Sequence, residues 1–211
     1  MLMMEIIDIF EDGKKLPLME EFYTLQGEGH NMGQAAYFIR IGGCDVGCRW
    51  CDSKLSWNYK DYPPVETDVI VSNALSYPAK TIVVTGGEPS LYPLDYLTQA
   101  FKDAGGRTMV ETSGSHHLTG VWDWICLSPK RNMPPLDEIL PRAHELKVVI
   151  EKREDLLWAE HNAKQVSDTC LLYLQPEWSV SEKIMPWLTE YVMQNPQWRI
   201  SLQSHKYMRI P

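Results

Sequence analysis

Little in the sequence would suit a membrane, an export route or a nucleic acid. No apolar run approaches the roughly 20 residues that a membrane span requires. Residues 1–8 interrupt their apolar character with Glu5 and Asp8, which a secretory signal would not carry. Lys and Arg number 20 against 28 Asp and Glu, a formal charge of −8, and the cations form no cluster able to track a phosphate backbone. There are five cysteines, an odd number that makes a poor disulfide framework. No internal repeat, low-complexity tract or linker divides the chain. The expectation is a soluble, cytoplasmic protein with no membrane and no direct nucleic-acid partner. Its 211 residues, 44% of them apolar, support one core and a single domain over 1–211.

What is present is an alternation of short apolar runs with stretches of helical spacing. Strands are predicted over 36–41, 81–85, 108–111, 124–127, 146–150, 170–174 and 199–202, each mostly apolar and bounded by turn residues, as strands buried on both faces are. Leu94, Leu97, Phe101 and Ala104 recur at three- and four-residue intervals and are stopped by Gly105-Gly106, which predicts a helix. Weaker helical patterns run over 69–75, 155–165 and 184–193, with Pro186 expected to mark a start or a kink. Strand–helix alternation implies a parallel sheet with right-handed crossovers. Six or seven strands fall short of a closed eight-stranded barrel, so the expected fold is α/β, an open partial β/α barrel. Ligands bind such sheets at the carboxyl ends of the strands, where polar motifs should gather.

Directly after the first predicted strand, Gly42-Gly43-Cys44-Asp45-Val46-Gly47-Cys48-Arg49-Trp50-Cys51-Asp52-Ser53 spaces three thiols as C-x3-C-x2-C, with glycines that let the backbone curl around one centre. Two chemistries compete for them. A structural zinc site wants four closed ligands, and no fourth Cys or His stands at finger-like spacing downstream. An iron–sulfur cluster is held by thiolates, and three of them leave one iron without a protein ligand, open for chemistry. Cys126 and Cys170 sit in apolar strand-like runs and read as small buried residues.

The other polar motifs stand at strand ends. Thr85-Gly86-Gly87-Glu88-Pro89 follows the second strand, Glu111-Thr112-Ser113-Gly114 the third, Ser128-Pro129-Lys130 the fourth and Gln175-Pro176 the sixth, while Lys147 lies within the fifth. Taken singly, each is an ordinary surface turn. Upstream of the cysteines runs Phe22-Tyr23-Thr24-Leu25-Gln26-Gly27-Glu28-Gly29. Its glycines allow close approach, and Gln26 and Glu28 can pair with a flat ring bearing amide and amine groups. Arg40 ends the first strand with a planar fork suited to a carboxylate, and Gln203-Ser204-His205-Lys206 follows the last strand.

The three-cysteine loop, with Trp50 before its last thiol, resembles the radical S-adenosylmethionine superfamily. The order F-x-T-x-Q-G-E-G, strand ending in Arg, C-x3-C-x2-C-D-S, G-G-E-P, E-T-S-G and Q-S-H-K is similar to the 7-carboxy-7-deazaguanine synthase family across nearly the whole chain. That resemblance implies an abbreviated radical S-adenosylmethionine fold that pairs as a homodimer. It also implies a [4Fe–4S] cluster on Cys44, Cys48 and Cys51, with S-adenosylmethionine chelating the open iron. Gly86, Gly87 and Glu88 would hold the amino group of S-adenosylmethionine, Thr112, Ser113, Ser128 and Lys130 its ribose and carboxylate, and Gln175 would lie near the adenine. Gln26, Gly27, Glu28 and His205 would contact a pterin, and Arg40 its carboxylate. Magnesium would bind beside that carboxylate through Ser53, where the family usually has threonine.

The implied reaction converts 6-carboxy-5,6,7,8-tetrahydropterin to 7-carboxy-7-deazaguanine and ammonia, a step towards queuosine and other 7-deazapurines. S-adenosylmethionine is regenerated, and a reducing partner such as flavodoxin or ferredoxin supplies the electron. Two other functions fit the cysteine spacing, an activase of a glycyl radical enzyme and a non-catalytic iron–sulfur or zinc module. Both leave Q-G-E-G, Arg40 and Q-S-H-K without a task.

Overall fold

The computed structural model describes residues 10–211, so the reading of residues 1–8 lies outside it. The described residues form one nine-stranded sheet. Its strands are β1 (Lys15–Leu25), β2 (Ala35–Ile41), β3 (Pro64–Glu66), β4 (Thr81–Gly86), β5 (Arg107–Thr112), β6 (Trp124–Leu127), β7 (Glu145–Ile150), β8 (Leu171–Pro176) and β9 (Trp198–Ile200). The order across the sheet is β3-β1-β2-β4-β5-β6-β7-β8-β9. From β2 to β9 every pairing is parallel, while β1 runs antiparallel to both β2 and β3. The end strands β3 and β9 do not pair with each other, so the sheet stays open, as expected of a partial barrel.

All seven predicted strands are present, shifted by a residue or two at their ends. The two additional strands carry no buried-strand signature. β1 contains Pro17 and two adjacent glutamates and is only partly buried over most of its length. β3 is three residues long and begins with a proline. Each survives because it needs to hide only one face or one edge.

Among the described residues the α-helices are α1 (Thr67–Leu75), α2 (Asp95–Asp103), α3 (Asp155–Ala163), α4 (Ser181–Gln194) and the short α5 (Ser204–Met208). In α2 the predicted stripe is buried: Leu94, Leu97 and Phe101 are fully covered. Full burial of each such side chain contributes about 1.5–3 kcal/mol. The stop is a two-bond C-cap, in which Gly105 at φ +77° donates to the Lys102 carbonyl and Gly106 to that of Phe101. Pro186 does not mark the start of α4, which begins at Ser181 and runs through it.

Alternation along the strands sorts the core into two faces. Ile39, Ile82, Val84, Val110, Leu127, Leu146, Val148 and Leu174 pack in one large cluster with helix residues such as Ile70, Leu97 and Leu188. The opposite face carries a smaller apolar floor of Ala36, Phe38, Val83 and Met109, with Phe22 and Trp124 against it. Above that floor the same face turns polar, with Arg40, Thr85, Glu111, Lys147 and Gln175 bordering a cavity.

Candidate active site

The cavity has a volume of about 600 Å³ and opens at the carboxyl ends of the parallel strands, within the range of small-molecule sites. Every predicted site residue lines it.

The loop after β2 brings Cys44, Cys48 and Cys51 to one wall, all of them free thiols and partly exposed. Its first residues are held by several contacts. Gly43 and Cys44 donate backbone N–H groups to the carbonyls of Ser56 (2.5 Å) and Trp57 (3.0 Å), Asn132 donates to the Val46 carbonyl, and His116 Nε2 sits 2.9 Å from Asp45 Oδ2. Burial pushes the Cys44 thiol up to about 11 and raises that of Cys48 as well, with the Glu88 charge adding to both. Such thiols keep their protons until a metal displaces them. Among the described residues no three His, Cys, Asp or Glu side chains are grouped tightly enough to share one ion, as a mononuclear zinc site needs. Three thiolates that each bind a different iron of a cluster have no such requirement, so the donor set fits the cluster.

The turn after β4 is docked onto this loop. A Cβ at Gly87 would lie 2.0 Å from the Gly43 carbonyl oxygen, and one at Gly86 (φ +131°) 2.2 Å from that of Ile41. Only glycines permit Gly87 and Glu88 to donate to the Ile41 and Gly43 carbonyls, each at 2.8 Å. The Glu88 side chain is 2% exposed and binds the neighbouring strand end. Its Oε1 accepts from Ser90 N (3.0 Å), Ser90 Oγ (2.7 Å) and Thr112 Oγ1, and its Oε2 from Ser113 N (2.8 Å) and Ser113 Oγ (2.5 Å). Five contacts fill the roughly four acceptor sites of a carboxylate. Glu88, Thr112 and Ser113 therefore form one cluster rather than three independent contacts. Beside them Lys130 donates to Ser128 Oγ at 2.7 Å and stands 5.5 Å from the centre of the Trp50 ring. Burial lowers the Lys130 pKa.

The opposite wall joins the two ends of the chain. Ser204 donates through both N and Oγ to the Gly27 carbonyl, each at 2.9 Å. A Cβ at Gly27 would lie 2.2 Å from His205 Nδ1, so glycine is required for the two segments to meet. Gln26 is 5% exposed; its Nε2 donates to Glu111 at 3.0 Å and its Oε1 accepts from Glu28 N at 3.1 Å. Glu28 accepts from Lys147 and, at 2.9 Å, from Gln203. Burial would raise the Glu28 pKa, but the Lys147 charge and hydrogen bond, Gln203 and the nearby His205 outweigh it and hold the carboxyl down at about 2. Gln175 accepts from Ser201 Oγ at 2.8 Å, and that oxygen in turn accepts from Gly29 N at 3.0 Å.

Arg40 faces the cavity in partnership with Glu20, which accepts from its Nε at 2.7 Å. A bulge in the β1–β2 ladder between Leu18 and Glu20 sets Glu20 opposite Arg40. Ser53 also borders the cavity, and the adjacent Asp52 is 3.7 Å from Lys206.

Lys147 and Glu111, which the sequence placed among the strand motifs without a role, stand at the centre. Lys147 is 4% exposed, donates to Glu28 and lies 3.7 Å from Glu111, which accepts from both Gln26 and Thr85. Burial would lower the Lys147 pKa, but Cys126, Glu111, Glu28 and Glu145 together raise it well above its ordinary value. The available signal was a charge inside the apolar run Glu145-Leu146-Lys147-Val148-Val149-Ile150, costly unless paired.

Comparison with known proteins agrees with this geometry. The model of the radical SAM superfamily matches residues 38–151. The chain is 56% identical over 211 residues, all of both proteins, to a 7-carboxy-7-deazaguanine synthase of Flavobacterium psychrophilum. It is 44% identical over 197 residues to that of Synechocystis, covering 92% of this chain and 93% of the relative. The crystal structure of QueE from Escherichia coli superposes with a TM-score of 0.82 at 30% identity, covering 93% of this chain and 97% of that one. The thiol loop, the docked G-G-E-P turn and the joined chain ends thus occur in a chain that belongs to the 7-carboxy-7-deazaguanine synthase family of the radical S-adenosylmethionine superfamily.

Proposed function

We propose that the cavity converts 6-carboxy-5,6,7,8-tetrahydropterin to 7-carboxy-7-deazaguanine and ammonia; the product is the one that the names of its relatives carry. The observation that carries this reading is the meeting of the 26–29 and 203–205 segments, 177 residues apart at their Ser204–Gly27 contact, beside a buried Glu28–Lys147 pair. A glycyl radical activase, which works on a protein backbone, would have no use for that arrangement.

A [4Fe–4S] cluster and S-adenosylmethionine, when bound, supply one-electron cleavage of a sulfonium and hence a radical able to abstract hydrogen. Cys44, Cys48 and Cys51, three free thiols on one wall of the cavity, would hold the cluster. The 86–88 turn, Thr112, Ser113, Ser128, Lys130 and Gln175 form the wall against which that molecule rests. Glu28 stays ionised at every working pH, so it only accepts hydrogen bonds and selects a ring edge that presents N–H groups. Gln26, locked by Glu111, offers its carbonyl side, and His205 closes the ring from the opposite segment. Arg40, steadied by Glu20, takes the substrate carboxylate.

Ser53, which borders the cavity, would supply a protein oxygen for magnesium, an ion that takes oxygen ligands. One radical S-adenosylmethionine domain, paired as a homodimer in the cytoplasm and reduced by flavodoxin or ferredoxin, completes the proposal. Among the described residues no helix is long and apolar enough to cross a membrane.

The test is anaerobic reconstitution with iron and sulfide, followed by S-adenosylmethionine, magnesium, a reductant and the carboxylated tetrahydropterin. Deazaguanine formed without stoichiometric loss of S-adenosylmethionine is the expected result. Cleavage to 5′-deoxyadenosine without deazaguanine would retain the radical chemistry and reject the substrate.

A further inference from the structure

Beneath the large cavity lies a second, water-sized one of about 10 Å³. The two share a wall made of Gln26, Glu28 and Glu111. On its other sides stand Asn31, Glu145 and Trp124. Asn31 is 2% exposed, and neither its Oδ1 nor its Nδ2 has a hydrogen-bond partner in the protein. Glu145, also 2% exposed, uses Oε2 to accept from His30 N and Trp124 Nε1, both at 3.1 Å, whereas Oε1 faces the weak thiol donor Cys126 at 3.6 Å.

An amide with both a donor and an acceptor unpartnered needs a guest that can accept and donate. Water does both, ammonium has no acceptor, and a halide has no donor. The volume suits one water, and the polar lining offers the two to four partners such a water requires. Burial raises the Glu145 pKa, against the pull of Lys147, the His30 N–H and the Trp124 N–H.

We propose that this chamber binds one ordered water joining the Asn31 amide to Glu145, and that Asn31, the water and Glu145 form the seat of the substrate-recognition segment. The geometry gives the seat its leverage. Gln26 N donates to the Gln34 carbonyl and Gly33 N to that of Gln26, Gln34 N donates to the Asn31 carbonyl, and His30 N is held by Glu145. At Gly29 (φ +63°) the backbone passes so close that a Cβ would lie 1.9 Å from Glu145 Oε1. A shift of Asn31 or Glu145 therefore moves Gln26 and Glu28 directly. Both are positioning residues, and their role rests on the pterin reading above.

The experiment joins a high-resolution crystal structure of the reconstituted enzyme to the kinetics of three variants. A water peak within hydrogen-bond distance of Asn31 and Glu145 is expected. Asn31→Leu, which fills the chamber with an apolar group, raises the KM for the tetrahydropterin roughly tenfold, the scale on which loose support of a binding group acts. Its kcat and its substrate-free cleavage of S-adenosylmethionine stay within about twofold of wild type. Asn31→Ser, which leaves room and a hydroxyl for water, gives a smaller rise, and Glu145→Leu, which removes the acceptor for His30 and a partner of the water, raises the KM as Asn31→Leu does.

No peak in the wild-type map overturns the proposal even if Asn31→Leu fails to fold, and so does an unchanged KM in Asn31→Leu. Inhibition by ammonium chloride but not sodium chloride, lost in Asn31→Leu, would replace the water by a cation. Absence of deazaguanine from the wild type would reject the pterin reading and leave the water to be judged from the map.

Discussion

Replacing Lys147 by methionine tests the electrostatic centre of the site. The ammonium is 6% exposed at its side chain, bonded to Glu28 and 3.7 Å from Glu111. At an effective dielectric of about 20, the attraction over that second distance alone is about 4.5 kcal/mol before desolvation is counted. Removing the cation strands two carboxylates, and breaking a buried pair in this way costs about 3–5 kcal/mol. For a chain of this size the loss lowers Tm by about 6–20 °C.

The cost should depend on pH in a defined direction. In the wild type Glu28 is held at about 2, against an ordinary value of 4.5, so it contributes stability that is complete above 4.5 and fades as pH falls towards 2. Without Lys147, burial instead raises the Glu28 pKa, and the penalty is complete at neutral pH and relieved as the carboxyl gains a proton. The gap between wild type and Lys147→Met is therefore larger at pH 7.5 than at pH 5. Anaerobic thermal melts at the two pH values measure it, with the double variant Lys147→Met/Glu111→Gln recovering part of the loss. A gap under about 2 °C at pH 7.5, or one that widens in acid, would refute the argument.

Three other outcomes follow from the site. Glu28→Gln keeps the side-chain shape but loses a charged acceptor worth about 1.5–3 kcal/mol, so kcat/KM for the tetrahydropterin falls roughly 10- to 150-fold while substrate-free cleavage of S-adenosylmethionine persists. Steady-state kinetics on both reactions separate the two effects. Glu88→Gln sets an amide NH2 against donors from Ser90, Thr112 or Ser113; melts and calorimetric titration should show a loss of about 1–3 kcal/mol in stability and weaker S-adenosylmethionine binding. Ser53→Thr adds a methyl that limits the side chain's rotamers. A saving of about 0.5–1 kcal/mol lowers the half-saturating magnesium concentration by about two- to fivefold in an activity titration.

The parallel sheet and its open form were legible because strands buried on both faces must be apolar throughout, as Thr81–Gly86 and Trp124–Leu127 are. The three thiols and the glycine turns were legible because local spacing and conformational freedom express their chemistry directly. β1 was not, since its glutamates and proline fit an exposed, flanking strand whose place is set by the antiparallel ladder to β2. Lys147 and Glu111 were also hidden in function, although not in sequence. What makes a buried ion pair tolerable is its partner, and here Glu28 lies 119 residues from Lys147.

Which groups the site contains can be read from the chain, because side-chain chemistry and short-range spacing do not depend on the rest of the fold. Which of them face one another is a property of the folded sheet. Glu88 binds Thr112 and Ser113, Gly27 makes room for His205, and Asn31 stands over a water-sized chamber with Glu145. Contacts across so many residues arise when the sheet brings strand ends together, and their strength comes from the burial that the same packing imposes.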